Sequence, residues 1–467
     1  MTITGGGIEQ NLTADDASGL AGMPALASIA PATWQTVDGL TSATLLRISR
    51  SEFGYIRQAY DNSHHINVVD VQDPTKTVSE KAVVGEEKDG RQVIQWTTDN
   101  NGKIAAVVSK TISDTNNAEH LIVYNSDLSV LKRFSFSSPA DPGHNLSTLA
   151  GESAPVKLAL SEKYAISGWR EYTGTGREAT IHDAGLLIGS LTSDKTGKIS
   201  LEVLGDEEAK DIVAVVTKGD YAIISNGSGA TGVYRINAAA EEISLVVETE
   251  PDSTREAAWL LTNGSYVLET SEAPGWLRVW KWNENSKPTA VGIIEPLDDQ
   301  NNGGPGAVRA VTFDSGDPGI AYHLDRLTRE ISRIDLASGT RTKLFKLSEY
   351  TAGPEGKITT QSIWNIQRET HGTNTYYVLG GSLGSNNRSN GVVLVLKNPP
   401  VDGSDITEVV NADSPQYLDS TTSWLEFDTV GSVRSTRSLQ DSIGNIYYVA
   451  KNLTASPYHI RVVKMNP

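Results

Sequence analysis

Residues 212–248 read IVAVVTKGDYAIISNGSGATGVYRINAAAEEISLVVE. Four short apolar segments alternate with period two: Ile212 to Thr217, Tyr221 to Asn226, Gly232 to Asn237 and Ile243 to Glu248. That period places successive side chains on opposite faces of a strand, so each segment reads as a strand rather than a helix. The first two are joined by Lys218-Gly219-Asp220, a hairpin turn because glycine accepts positive φ. The next stretch repeats the pattern as AAWLLT (257–262), YVLETS (266–271), WLRVWKW (276–282) and AVGIIEP (290–296). Its first turn is Asn263-Gly264-Ser265.

Working outward, the same quartet recurs. Residues 44–85 hold TLLRIS, YIRQAY, HINVVDV and VSEKAVV, and residues 91–137 hold VIQWTTD, KIAAVVS, HLIVYNS and LKRFSFS. Residues 155–205 hold VKLALS, YAISGW, EATIHD and ISLEVLG, and residues 307–347 hold AVRAVTF, GIAYHL, EISRIDL and TKLFKL. Residues 361–410 hold SIWNIQ, TYYVLGG, GVVLVLK and ITEVV. The last unit, 423–467, has only WLEFD, IYYVAK and HIRVVKM. A period of about 40–50 residues with four strands per unit is that of β-propeller blades. One quartet cannot bury both its faces alone, so neighbours must stack. The expected fold is all-β: a β-propeller of four-stranded antiparallel blades over 41–467, eight blades favoured and seven the alternative. Residues 1–40 are rich in Gly, Ala, Thr and Asp and read as an N-terminal arm. The three-stranded last unit makes Thr2–Thr4 or Thr36–Asp38 the expected source of a closing strand; a subunit contact is the other use of the arm.

The chain has 467 residues with 40 Lys plus Arg against 57 Asp plus Glu, a net charge of −17. Such a charge opposes phosphate backbones and anionic lipid heads, which require clustered cations. Nucleic-acid binding and membrane insertion are therefore not expected. With no cysteine, disulfides, thiolate metal sites and Cys nucleophiles are excluded. No apolar run approaches the roughly 20 residues that span a bilayer. No Lys or Arg precedes Arg47, so no secretory signal is expected in this chain.

Two units carry resemblances. Val68, Val69, Asp70, Val71, Asp73 and Pro74 in INVVDVQDPT match the apolar-x-V-V-D-V-x-D-P pattern and resemble the LVIVD-type repeat of bacterial surface propellers. Residues 441–449, DSIGNIYYV, look like the D-x-x-G-N-I-Y-V hairpin of NHL and gluconolactonase-like propellers. Both resemblances imply strand–turn–strand blades and no single family. The lactonase-like likeness also implies a divalent ion in an axial channel, held by Glu, Asn and Asp of innermost strands. Asp211, Glu256, Asp314, Asn365, Glu426 and Asp428 are the positions that fit.

Other chemistry is sparse. His64-His65 is the only close histidine pair, and adjacent strand residues point to opposite faces, so the pair reads as polar residues of a strand-connecting turn. Gly380-Gly381-Ser382-Leu383-Gly384 matches G-x-S-x-G, yet a polar loop and another strand follow it, which makes it a glycine-rich hairpin rather than a nucleophile elbow. Asp298, Asp299, Asp314 and Asp317 offer clustered oxygen ligands on loops, the kind Ca²⁺ takes, without EF-hand spacing. Trp276, Trp280 and Trp282 read as sharing one face of a strand, with Arg278 and Lys281 on the other. They serve either as packing between blades or as a stacking surface for a glycan or a protein.

The leading expectation is a non-enzymatic structural or interaction propeller in a larger assembly, a virion or a cell surface, joined to other subunits through its arm. The alternatives are a lactonase- or hydrolase-like enzyme with a channel metal and a carbohydrate-binding lectin.

Overall fold

The structure, a computed structural model, describes residues 2–5, 8–11, 25–27, 46–49, 51–58, 64–72, 77–82, 92–99, 102–109, 117–135, 144–145, 158–173, 180–200, 212–226, 231–238, 242–252, 259–270, 276–295, 310–314, 316–325, 328, 330–347, 350–351, 357–358, 363–371, 373–382, 390–399, 401–403, 405–406, 417–419, 422–430, 432–440, 446–453 and 460–464. Among them every regular element is a strand. Among the described residues no helix is long and apolar enough to cross a membrane.

The strands assemble into antiparallel meanders in chain order. Ile212–Lys218, Tyr221–Asn226, Thr231–Asn237 and Ser244–Asp252 form one four-stranded sheet, and Trp259–Thr262, Tyr266–Thr270, Leu277–Asn283 and Ser286–Ile294 form the next. Gly219 and Gly264 sit at φ 57° and 83° in the first turns, the left-handed conformation that those turns demand. Asn263 completes its turn by accepting the amides of Ser265 and Tyr266 on Oδ1.

Alternation along these strands builds the core. In the 212–252 sheet Val215, Ala222, Ile224, Tyr234 and Ile236 face the preceding quartet, against Tyr164, Ile166, Leu186 and Ile188. Ala214, Val216, Ile223 and Val233 face the following one, against Leu260, Val267, Trp280 and Trp282. Tyr266, Leu268, Leu277 and Val279 continue the series onto Ala321, Ile334 and Leu336. Each sheet is thus apolar on both faces and packed between two others, the arrangement of propeller blades. First strands lie side by side: Leu46–Arg47, Gln92–Thr98, Leu158–Leu160, Ile212–Lys218 and Trp259–Thr262 in succession, then Ala310–Phe313, Ile363–His371 and Ser432–Gln440. Ser432–Gln440 also approaches Leu46–Arg47.

Several boundaries differ from the sequence reading. Among the described residues seven sheets have four or more strands, because the quartets at 92–135 and 158–200 are joined into one nine-stranded sheet. The joint is His144–Asn145, which pairs with both Asn117–Tyr124 and Tyr164–Thr173. WLEFD was expected to start the last unit. It lies instead in Thr422–Val430, the partner of Asn390–Lys397. The fourth strand expected near 406–410 is displaced: Asp405–Ile406 pairs in parallel with Thr340–Leu347, on the outer edge of the neighbouring sheet. The last sheet takes its fourth strand from the N-terminal region, since Ala25–Ala27 pairs antiparallel with Ile460–Lys464. That strand is neither segment named from the sequence: Thr2–Gly5 forms a hairpin with Ile8–Asn11, and 36–38 lies outside the described residues.

Candidate binding pocket

The residues singled out from the sequence are brought into different roles. Trp276, Trp280 and Trp282 do share a face, and they are 2, 4 and 6% exposed. Trp280 and Trp282 fill the gap between two sheets, so the stacking-surface reading is corrected to packing. The placement of Arg278 is corrected as well. It lies over the rings of Trp276 and Trp280, 5.5 and 5.6 Å from their centroids, on the same face. Residues 276, 278, 280 and 282 have one parity, and period two puts them together. Arg278 is paired with the fully buried Glu269, Nη1 to Oε2 3.5 Å, and the Trp280 indole donates to that oxygen at 2.7 Å.

Asp314 and Asp317 direct their carboxylates at the turn they form. Asp314 Oδ1 accepts the amides of Gly316 and Asp317 at 2.8 and 2.9 Å, and Asp317 Oδ1 accepts that of Gly319 at 2.8 Å. Asp298 and Asp299 lie outside the described residues, as do Asp211 and Glu256. Among the described residues no three His, Cys, Asp or Glu side chains gather as a metal site. Glu426 and Asp428 belong to Thr422–Val430, an outer partner strand of its sheet and not an innermost one, so the channel placement of these two is corrected. Asn365 is on the first strand of that sheet. Gly380, Gly381 and Ser382 pair with Val393, Val392 and Gly391, and the next described element is the antiparallel strand Asn390–Lys397. His64 and His65 are corrected from a turn to the strand His64–Asp70, where neighbours point to opposite faces.

A cavity among the described residues lies between the sheets at 310–347 and 363–397. It measures about 820 Å³ and is lined by Tyr322, Arg333, Leu344, Arg368, Tyr377 and Val401 among others. Tyr322 and Arg333 are cross-strand partners on one face of the first sheet. Arg368 crosses from the second sheet to Asp314, Nη1 to Oδ2 2.8 Å, and its guanidinium lies over the Tyr322 ring at 5.4 Å. Tyr377 meets Tyr322 and Phe345 edge to face, with centroids 5.6 and 5.3 Å apart. Burial pushes the Tyr377 hydroxyl up to about 12, with the Arg368 guanidinium opposing the shift. Burial drives Tyr322 higher still against the same opposing charge. Both phenols are therefore neutral donors at ordinary pH, and the arginines are the cations of the pocket. A lid of chain closes one side. Asn398 Oδ1 accepts the Thr375 amide at 2.7 Å, and the Gly403 amide reaches back to the Leu344 carbonyl at 2.8 Å.

None of Tyr322, Arg333, Arg368 and Tyr377 stood out in the sequence. The available signal was Arg368 in IWNIQRET, a charge at the same parity as the apolar Trp364 and Ile366, which period two turns toward one face of the sheet.

Fold and pocket together define a protein of stacked four-stranded antiparallel sheets with a cavity between two of them. No family model matches the sequence, and no curated protein matches it either. Solved structures with a similar course include the computationally designed Ika8 protein, at 13% identity and TM-score 0.48, covering 92% of this chain and 98% of that one. The Cps50 (Swd1) β-propeller domain of Myceliophteria thermophila is 10% identical with TM-score 0.39, over 74% of this chain and 95% of that one. The WD40 domain of SCAP from fission yeast is 9% identical with TM-score 0.37, over 92% and 89%.

Proposed function

We propose that the chain is a non-enzymatic interaction propeller, closed from eight quartets, that holds an extended segment of a partner subunit on its outer strand edges. The observation that carries this reading is the state of those edges. Outermost strands Ser244–Asp252 and Ser286–Ile294 are terminal in their sheets among the described residues, and they expose Val246, Val247 and Ile293. An unpaired edge with β-branched side chains turned to solvent is a template for an added strand. The equivalent edge of the next sheet already receives one from this same chain, with Lys346 beside Asp405 and Leu347 beside Ile406. The eight-quartet ring is supported by the run of adjacent first strands and by Ala25–Ala27 on the last sheet.

The test is native purification from the source followed by cross-linking mass spectrometry. The expected result is recovery in a stable complex with cross-links at exposed Lys287 on the outer edge, lost when Val247 and Ile293 are replaced by lysine. Recovery as a monomer, or turnover of lactones in the presence of Ca²⁺ or Mn²⁺, overturns it.

A further inference from the structure

The cavity between the sheets at 310–347 and 363–397 asks for a ligand of its own, independent of the outer edges. Its size, about 820 Å³, is that of a small-molecule site. Its walls are apolar at Ile320, Leu344, Pro399 and Val401, and Val401 is 63% exposed at the mouth. Its charged groups are Arg333, Arg368, Asp314 and Asp317, beside the neutral tyrosines Tyr322 and Tyr377. Arg368 is held in place by Asp314, and its buried Nε has no acceptor. Arg333, half-buried on the facing sheet, makes no ion pair among the described residues. Of the two carboxylates that also line the cavity, Asp314 is taken up by Arg368 and by the amides of its turn, and Asp317 accepts the Gly319 amide, so Arg333 is the guanidinium left to meet an incoming anion.

The kind of anion follows from the neighbours. Asp314 and Asp317 also line the cavity, so a phosphate dianion would meet two negative charges. A singly charged, planar carboxylate suits the Arg333 fork and meets less repulsion. The apolar walls require that it be carried on a hydrocarbon or aromatic group. We propose that this pocket binds a carboxylate borne on an apolar group, with Arg333 as its principal cation and Arg368, fixed by Asp314, as the second. A free organic acid and the C-terminus of an apolar peptide share that chemistry.

Isothermal titration of the full chain tests this, with 4-phenylbutyrate as the free acid, 4-phenylbutanol as its uncharged match, and acetyl-Leu-Phe as free acid and as amide. The acids are expected to bind and the alcohol and amide are not. Arg333→Gln is expected to weaken the acids by about tenfold or more with thermal unfolding unchanged, as loss of a charge-assisted contact does. Tighter binding of phenylbutyrate identifies a small-molecule ligand, and tighter binding of the peptide acid identifies a chain terminus. Either result supports the pocket. Equal binding of acid and alcohol, binding indifferent to Arg333→Gln, competition by inorganic phosphate, or no binding of either acid overturns it. The complex expected at the outer edges is read by cross-linking, so each reading can fail while the other stands.

Discussion

Two inter-sheet seams of this molecule use the same device and end differently. Between the sheets at 212–252 and 259–294, Arg278 pairs with Glu269 and lies on two tryptophans; both charged side chains are sealed, at 5 and 0% exposure. Between the sheets at 310–347 and 363–397, Arg368 pairs with Asp314 and lies on a tyrosine; there the arginine keeps 22% exposure and borders a cavity. In the first seam Trp280 and Trp282 fill the space that a ligand would need. In the second, Tyr322 and Tyr377 border a cavity of about 820 Å³ instead. The first pair ties two strands of one sheet on the face it turns to its neighbour, and the second bridges two sheets; in both places the volume around the pair decides whether chemistry from outside can enter.

The sealed seam is where the largest effect is expected. Glu269→Leu leaves a buried guanidinium without its carboxylate, which costs about 3–5 kcal/mol in denaturant unfolding. Adding Arg278→Met is expected to restore most of that loss, because the uncompensated charge goes with it. A double variant no more stable than the single one would show that the pair does not act as a unit.

The open seam is expected to answer to alkali. The Tyr377 pKa rises from 10.0 to about 12 on folding, so its stabilisation is whole below about pH 10 and lost as pH climbs toward 12. A shift of that size corresponds to about 2–3 kcal/mol, and Tyr377→Phe is expected to flatten the denaturant midpoint over that range. An unchanged midpoint profile in the variant would place the sensitivity elsewhere. Asp314→Asn comes next. It removes the acceptor of Arg368, but that guanidinium can hydrate through the cavity, so a loss of about 1–2 kcal/mol is expected. If Asp314→Asn costs as much as Glu269→Leu, the distinction between sealed and open seams fails.

Sheet composition was legible because period two survives in every quartet from 44 to 347 and the described turns carry Gly or Asn where φ is positive, Leu128 excepted. Partnership between distant strands was not. WLEFD was assigned to the final unit because spacing counts strands without saying which edge each one joins. The excursion of Asp405–Ile406 to another sheet breaks the count at that point. Tryptophan parity was readable, and the misplacement of Arg278 came from not applying it to every even position. The pocket lay beyond reach for another reason. Asp314 and Arg368 are 54 residues apart on different sheets, and nothing local marks either as the other's partner.

The smallest expected effect lies at the turns that link consecutive sheets. Glu162 accepts the Gly219 amide, and Lys163 bonds both oxygens of Asp220 at 3.0 Å. Lys218 reaches the Gly264 carbonyl, and Asn263 reaches that of Pro318 at 2.9 Å. The turns of four successive quartets are thus tied in series, each by a polar side chain reaching the next. Lys163 and Asp220 are nearly half exposed, so water competes for both and salt screens them. Asp220→Ala is accordingly expected to cost less than about 1 kcal/mol, and less again at high salt. The links do share a chain, and a link that matters only collectively shows up in pairs. If Asp220→Ala and Asn263→Ala together exceed the sum of their separate losses, the turns cooperate along the ring; if the losses simply add, the sheets are held by their apolar faces alone.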